Sequence, residues 1–330
     1  MTFKYKNVYI KDTATVAGPY EKDGPLGSYF DKTYKDLYFG MDSFELAEQK
    51  SVEESIQILL KKTQGKKEQI DLTIGGDLSN QITATTFGSK DLKTAYFGVY
   101  DACATSVEEL IIASSMIDSK RIKNALCVTS SHNMTSEKQF RNPTEYGAPK
   151  PHSATFTSTG AASILLTEEK TEIKVESSTI GTLIDYNQSD PNDMGGAMSG
   201  AAAYTINKHL KDTKRNPEYY DLILTGDLGK YGKNILTTYL QEEYKVDIAK
   251  NYNDCGVMLY NLDAQEECLA GGSGPVCSAL VNYSYIMERL KKKEIKKVLL
   301  VATGAMYSPT TLFQGQNILS IAHAISLEAV

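Results

Sequence analysis

Residues 69–78 read Gln-Ile-Asp-Leu-Thr-Ile-Gly-Gly-Asp-Leu, and residues 219–228 read Tyr-Tyr-Asp-Leu-Ile-Leu-Thr-Gly-Asp-Leu. Each stretch is a short apolar run that ends in Gly-Asp-Leu, and the two lie 150 positions apart. A short apolar run closed by glycine and aspartate is typical of a buried strand followed by a turn. The pair therefore indicates an internal repeat and predicts two equivalent halves.

A second pair of stretches supports the repeat. Residues 120–129 (KRIKNALCVT) match residues 293–302 (KEIKKVLLVA) at a spacing of 173 positions, so the second half carries about 23 more residues between its landmarks. We place the division near residues 168–172, which gives halves of 1–170 and 171–330. Two such halves of mixed strand and helix predict an α/β protein with a pseudo-twofold axis, whose ligand binds at the strand ends where the halves meet.

Hydrophobic periodicity places the main elements around these landmarks. Helices are predicted near residues 51–62, 104–118, 199–211, 232–244, 278–293 and 315–325. Strands are predicted near residues 70–75, 94–100, 124–130, 161–166, 221–225, 267–271 and 297–303.

The stretch DACATS, residues 101–106, places Cys103 where the strand at 94–100 ends and the helix at 104–118 begins. Unpaired N–H groups and the positive end of the helix dipole stabilise a thiolate or another anion at such a position. Cys103 is therefore a candidate nucleophile or part of an anion site, although a free cysteine is more often a small core residue. At the 173-residue spacing it corresponds to Val276 in the glycine-rich stretch GGSGPVC, residues 271–277, so each half has a turn and a helix start there.

Composition narrows the class of protein. The chain has 330 residues, 41% of them hydrophobic and 23% charged, which is typical of a globular protein. A net charge of −6 disfavours general binding to nucleic acid or to anionic membranes. The five cysteines form no CxxC pair, so we expect neither a disulfide framework nor a zinc site. We also expect no signal peptide and no membrane span, because no sufficiently long apolar run occurs.

A cysteine that ends a strand in one half, with GGSG in the other, resembles the thiolase and ketoacyl synthase superfamily. More narrowly, residues 130–147 (SSHNMTSEKQFRNPTEYG), with DACATS before them and GGSGPVCSAL after them, resemble the stage V sporulation protein AD family. The resemblance implies a thiolase-like fold, with two pseudo-twofold related βαβαβαββ halves in α-β-α-β-α layers. One half carries Cys103 and the other the GGSG turn.

The same resemblance implies a function without catalysis. It implies binding of dipicolinic acid (pyridine-2,6-dicarboxylate), free or as its calcium chelate, and a role in dipicolinate transport in endospores. Implied partners are other SpoVA-type membrane proteins and a second copy of the chain. The implied location is the forespore or spore, peripheral on the inner membrane.

The sequence also bears on acyl transfer, because condensing enzymes of the superfamily pair the cysteine with histidine and asparagine, or with two histidines. By this resemblance, Gly226 or Asp227 stands where such an enzyme would place its histidine. Gly272 or Ser273 stands where it would place its asparagine. A thiol without a general base, next to a carboxylate, is poorly suited to stabilise a developing oxyanion. We therefore expect a relic nucleophile position at Cys103, no catalytic residues and no cofactor. An acyltransferase that acts on coenzyme A or carrier-protein thioesters is the alternative.

A dicarboxylate needs N–H or cationic donors. The candidate ligand-binding residues are Cys103, Ala104, His132, Arg141, Asp227, Gly272 and Ser273. Ala104 offers a helix-start N–H, His132 follows a strand, and Arg141 suits bidentate binding of a carboxylate. For His132 the alternative is an exposed loop histidine, and for Arg141 it is a surface ion pair.

Asp101 and Asp227 could coordinate a calcium ion carried by the ligand, since hard cations prefer oxygen ligands. Turn-capping aspartates explain both positions more simply, so no metal site is predicted. Lys150 and His152 are weaker candidates for a lid over the site.

Overall fold

The structure is a computed structural model, and it describes residues 1–140 and 150–330. Its strands are β1 (Thr2–Lys4), β2 (Tyr9–Ala17), β3 (Lys32–Thr33), β4 (Leu72–Asp77), β5 (Ala95–Gly98), β6 (Asn124–Ser131), β7 (Phe156–Thr157), β8 (Gly160–Thr167), β9 (Ile173–Thr179), β10 (Leu222–Thr225), β11 (Tyr252–Asp254), β12 (Gly272–Ser273), β13 (Lys297–Met306) and β14 (Leu319–Ala329).

The helices are α1 (Pro19–Lys22), α2 (Phe44–Lys62), α3 (Thr83–Ser89), α4 (Thr105–Asp118), α5 (Asn133–Phe140), α6 (Met194–Thr213), α7 (Gly229–Tyr239), α8 (Cys255–Leu259), α9 (Pro275–Val281), α10 (Met287–Lys291) and α11 (Pro309–Phe313). Two of them run on into π-helical turns: α7 continues through Leu240–Tyr244, and α9 continues through Asn282–Ile286 into α10.

Within the described residues, one large mixed sheet has the strand order β11-β10-β13-β14-β9-β2-β8-β6-β4-β5. Read outward from the centre, its two arms are β2-β8-β6-β4-β5 and β9-β14-β13-β10-β11, so they have matching orders. The second strand of each arm in this order, β8 or β14, runs antiparallel to both of its neighbours. The arms join through a short antiparallel pairing of β2 with β9, at Tyr9 with Lys174 and Ile10 with Ile173. The predicted division at residues 168–172 falls in the connection between β8 and β9.

Helices cover both arms of the sheet. In the described part of the chain, α4 and α9 pack between the arms, α2 and α3 cover the outside of one arm, and α6 and α7 cover the outside of the other. Buried apolar residues of α4, such as Val107 and Leu110, pack in this central layer. Each such side chain contributes about 1.5–3 kcal/mol through burial. Ser106 of α4 and Ser278 of α9 also share a hydrogen bond, with their hydroxyl oxygens 2.9 Å apart. This arrangement confirms the predicted mixed α/β fold with helix and sheet layers.

Two predicted elements are wrong. The helix predicted at 315–325 is β14, which pairs with β13 on one side and β9 on the other. Because β14 is buried on both faces, its apolar run does not alternate, and such a run cannot be distinguished from a helix by periodicity. The strand predicted at 267–271 is a 3-10 turn, Glu266–Cys268, followed by Leu269 and Gly271 with φ of 51° and 129°. A strand needs negative φ values, so these two residues exclude one.

Candidate functional site

The turn that carries Cys103 is built from hydrogen bonds within residues 101–105. The Asp101 N–H donates to the Thr105 hydroxyl, which donates to the carbonyl of Ala102. The Ala104 N–H donates to the carbonyl of Asp101 at 3.0 Å. Ala102 has a left-handed φ of 49°, an unfavourable conformation for alanine that the surrounding contacts must hold. Cys103 therefore sits on a fixed 3-10 turn that runs directly into α4.

Strand β13 of the second half packs against this turn. A Cβ added at Gly304 would lie 2.6 Å from the carbonyl oxygen of Asp101 and 3.1 Å from the Cβ of Ala104. Glycine is thus required at position 304 for the strand to approach so closely. This approach brings the first-half turn beside second-half residues at the ends of β10 and β12.

Cys103 contacts Asp227 and Ser273 of the second half. Its sulfur is 3.9 Å from the hydroxyl oxygen of Ser273 and within hydrogen-bonding range of the Asp227 carboxylate. Cys103 is partly exposed, although protein surrounds most of the side chain. Burial raises the pKa of the thiol well above its usual range, and the negative charge of Asp227 raises it further. The thiol is therefore protonated at neutral pH and is a poor nucleophile.

Asp227 is almost fully buried and accepts hydrogen bonds from residues around it. One carboxylate oxygen accepts from the Thr303 hydroxyl at 2.7 Å, and the other accepts from the Gly274 N–H at 3.0 Å and the Ser273 hydroxyl at 3.2 Å. Burial raises the pKa of Asp227 to about 6, although these donors and the Cys103 thiol oppose the rise. Asp227 thus links β10, β13 and the start of α9 at the site.

The repeat explains why Asp227 points into the site. Its counterpart Asp77 caps the turn and the start of helix α3 in the first half, since it accepts from the N–H groups of Ser79 and Thr85. In the second half Asp254 has this capping role, because it accepts from the N–H groups of Leu228 and Gly229. Asp227 is therefore not needed as a local cap and turns towards Cys103.

The glycine-rich turn positions Ser273. Strand β12 pairs in parallel with β7, and Gly274 follows with a φ of 95°. A Cβ at Gly272 would lie 2.8 Å from the sulfur of Cys277, so this turn packs tightly against α9. The structure thus brings together four predicted site residues from both halves: Cys103, Asp227, Gly272 and Ser273.

Two of the predicted donors are already used within the protein. His132 is fully buried; its Nε2 lies 2.8 Å from the carbonyl oxygen of Leu37, and its Nδ1 accepts from the Met134 N–H. Burial lowers the pKa of His132 to about 4, so the ring is neutral. The alternative of an exposed loop histidine is wrong for this residue, while its role as a ligand donor stays a prediction, with both ring nitrogens already paired within the protein. The Ala104 N–H is likewise not free, because the 3-10 turn uses it.

The remaining sequence candidates lie at or near residues 141–149. Arg141 lies outside the described residues. Lys150 forms an ion pair with Glu137, with nitrogen and oxygen 2.7 Å apart. His152 is exposed.

His323 belongs to the site region, although no role was predicted for it. Its Nε2 lies 2.7 Å from Oδ2 of Asp101, and its Nδ1 accepts from the Gly181 N–H at 3.0 Å. Within residues 1–140 and 150–330, no imidazole contacts the sulfur of Cys103. Only the long-range pairing of β14 brings His323 to the Cys103 turn, so no local sequence signal could have found it.

The fold is thiolase-like. The structure is similar to 3-oxoacyl-[acyl-carrier-protein] synthase III from Aquifex aeolicus VF5, with a TM-score of 0.57, 12% identity, and coverage of 97% of this chain and 99% of that one. It is also similar to a variant of OleA from Xanthomonas campestris, with a TM-score of 0.63, 15% identity, and coverage of 98% and 99%. At these identities the likeness shows the fold alone.

Sequence comparison is more specific. The family model "Stage V sporulation protein AD (SpoVAD)" matches residues 1–328. The stage V sporulation protein AD of Bacillus subtilis (strain 168) is 42% identical over 321 residues, which cover 97% of this chain and 94% of the relative. The chain therefore belongs to the stage V sporulation protein AD family, as its resemblance predicted. Among the described residues, no helix combines the length and apolarity needed to cross a bilayer.

Proposed function

We propose that this sporulation protein binds dipicolinic acid without chemical conversion, as a component of the SpoVA transport complex. In this role it supports dipicolinate uptake during sporulation and release during germination, peripheral on the forespore or spore inner membrane. Other SpoVA-type membrane proteins would form the passage itself. Family membership supports the sporulation role, and the geometry around Cys103 supports binding without catalysis.

The observation that carries the proposal is the contact of Cys103 with Asp227. Acyl transfer through cysteine needs a thiolate, a proton acceptor and donors for an oxyanion. Here the carboxylate of Asp227 disfavours the thiolate, and it takes up the Gly274 N–H and the Ser273 hydroxyl as donors. The arrangement therefore supports ligand binding without catalysis at a relic nucleophile position.

The charge of the site constrains the form of the ligand. No lysine or arginine in the described ranges contacts Cys103, Asp227 or Ser273. A dianion beside an ionised Asp227 would be repelled, whereas a protonated Asp227 could donate a hydrogen bond to a carboxylate. A calcium ion bound to the ligand would offset the same repulsion. We therefore expect the affinity for the ligand to depend on the protonation state of Asp227 and on whether the ligand carries a cation.

Calorimetry of the full chain with dipicolinate, with and without calcium, tests the proposal. We expect saturable heat, and in the absence of calcium we expect tighter binding by Asp227→Asn, since asparagine removes the repulsion of the ligand dianion. The Asp77→Asn variant is not informative because Asp77 caps a helix, so Asp247→Asn, at an exposed position of the same half, is the control. An absence of heat above buffer at millimolar ligand, in both forms, would contradict dipicolinate binding.

The alternative function is acyl transfer, since the chain shares its fold with 3-oxoacyl-[acyl-carrier-protein] synthase III. It requires an acyl group on Cys103. Incubation with acetyl coenzyme A, followed by mass spectrometry of the intact protein, distinguishes the two functions. The Cys103→Ser variant controls for labelling elsewhere. We expect no acyl adduct.

We also propose that the protein forms a homodimer through the β5 edge of the sheet. Strand β5 is paired only with β4 among the described strands, and Phe97 and Tyr100 at this edge are about half exposed. An unpaired edge with exposed aromatic residues favours pairing with another strand. Light scattering of the wild type and of the Phe97→Lys variant tests this: the variant should be monomeric.

A further inference from the structure

The turn that carries Cys103 is fixed from the second half by one pair of side chains. Asp101 begins this turn, two residues before Cys103, and its side chain is largely buried. Oδ2 of Asp101 lies 2.7 Å from Nε2 of His323, whose side chain is only 6% exposed. The pair spans 222 positions and joins the two halves directly at the site.

The second ring nitrogen fixes the orientation of His323. The Gly181 N–H donates to Nδ1, so in the neutral ring Nε2 carries the proton and faces the Asp101 carboxylate. Position 181 cannot carry a side chain here, because a Cβ would lie 1.9 Å from the carbonyl oxygen of Ala322. The imidazole is thus held on one side by the backbone that follows β9, and it holds the Cys103 turn on the other.

The contact with Asp101 is close, but it is not a well-aligned hydrogen bond. The N–H of Nε2 does not point well at Oδ2, which has no other donor within the described residues. The other titratable groups that face Asp101 are Glu108 on α4 and Tyr100 before the turn. Burial raises the pKa of Glu108 to about 7, and the charge of Asp101 adds to the rise. Nε2 of His323 faces Asp101 in this acidic surrounding.

We propose that His323 is a positioning residue: through Asp101 it holds the turn that presents Cys103 to the ligand. The inference deepens the proposed function, and it rests on the Cys103 site being the place of binding. His323 itself does not touch the sulfur.

Two substitutions separate the two contacts of the ring. In His323→Asn the amide oxygen can still accept from Gly181, but the shorter side chain does not reach Asp101. In His323→Gln the amide N–H can reach Asp101, but the contact with Gly181 is lost. A positioning role through Asp101 therefore predicts a strong effect of asparagine and a weak effect of glutamine. His209→Gln, which removes another buried histidine bound to Thr179 and Tyr220, is the matched control.

The rate at which Cys103 reacts with 5,5′-dithiobis(2-nitrobenzoate) reports the position of the turn without any ligand. All five cysteines lie in the described part of the chain, and Cys103 is partly exposed whereas the other four are buried. We expect the rate to rise by about fivefold or more in His323→Asn and to stay within about twofold of wild type in His323→Gln and His209→Gln. Dipicolinate affinity should fall by a similar factor in His323→Asn alone.

A double-mutant cycle with Asp101→Asn completes the test. Asp101→Asn should raise the Cys103 rate as His323→Asn does, and the second substitution should then change it by less than about twofold. Equal effects of asparagine and glutamine at 323, or additive effects of the two sites, would overturn the inference. If the thiol results hold while wild type binds no dipicolinate, the positioning role stands and the proposed ligand fails. Asp101→Asn also serves if His323→Asn does not fold.

Discussion

Asp227→Asn tests the central feature of the site, because the charge of Asp227 opposes ionisation of Cys103. The pKa of Asp227 is about 6, so the residue is mostly ionised at pH 7.5 and its full charge acts on the thiol. At an effective dielectric constant of about 20, two unit charges about 4 Å apart interact by about 4 kcal/mol. Asparagine removes this repulsion and preserves the size of the side chain.

Burial, the larger cause of the raised thiol pKa, remains in the variant. We therefore expect only part of the Coulomb energy to be recovered, about 1.4 kcal/mol or more, which increases the thiolate fraction at least about tenfold. The assay is the rate of Cys103 alkylation by iodoacetamide at pH 7.5, followed by mass spectrometry. The four buried cysteines give little background.

Asp247→Asn is the matched control for Asp227→Asn, because Asp247 is an exposed aspartate of the same half. Its rate should equal that of wild type. An alkylation rate of Asp227→Asn at or below the wild-type rate would refute the argument that Asp227 suppresses the thiolate.

Three further predictions concern stability, measured by urea unfolding. Because buried His132 is neutral in the folded protein, the free energy of unfolding decreases as the pH falls from about 6.5, the pKa in the unfolded chain, towards about 4. His132→Gln should remove about 3 kcal/mol of that decrease. Burial raises the pKa of Glu48 to about 8. The stability that its protonated side chain contributes is therefore fully present below about pH 4.5 and is lost as the pH rises through 8. In Glu48→Gln the free energy of unfolding should vary less over this range, and an unchanged pH profile would count against the prediction. Gly274→Ala should cost about 1–3 kcal/mol from strain plus a contact of 2.7 Å with the Ser131 hydroxyl, whereas Gly315→Ala, also at positive φ but in open space, should cost less.

The core elements of each half could be predicted because their signals are local. The apolar runs at β4 and β10, each closed by Gly-Asp-Leu, form strands of matching position in the two arms. The helix after Cys103 begins at Thr105, close to the predicted start at 104. Such signals depend on side chains a few residues apart, which the sequence displays directly.

The direction of individual side chains could not be predicted in the same way. Asp77 and Asp227 occupy equivalent places in the repeat, yet one caps its own helix and the other faces Cys103. The difference depends on Asp254, which the chain brings in from 27 positions away. His132 follows a strand as expected, but α2 and the preceding loop bury it, and local pattern contains no information on that cover.

Residue order alone was enough to predict the two-fold repeat, the strand and helix that flank Cys103, and the family. Each of these depends on residue order and local periodicity. The folded chain was needed to see that Asp227, Ser273 and His323 from the second half meet the Cys103 turn of the first. The physical reason is that close packing of β13 and β14 against this turn fixes distances between residues more than 100 positions apart, and no local preference encodes such distances.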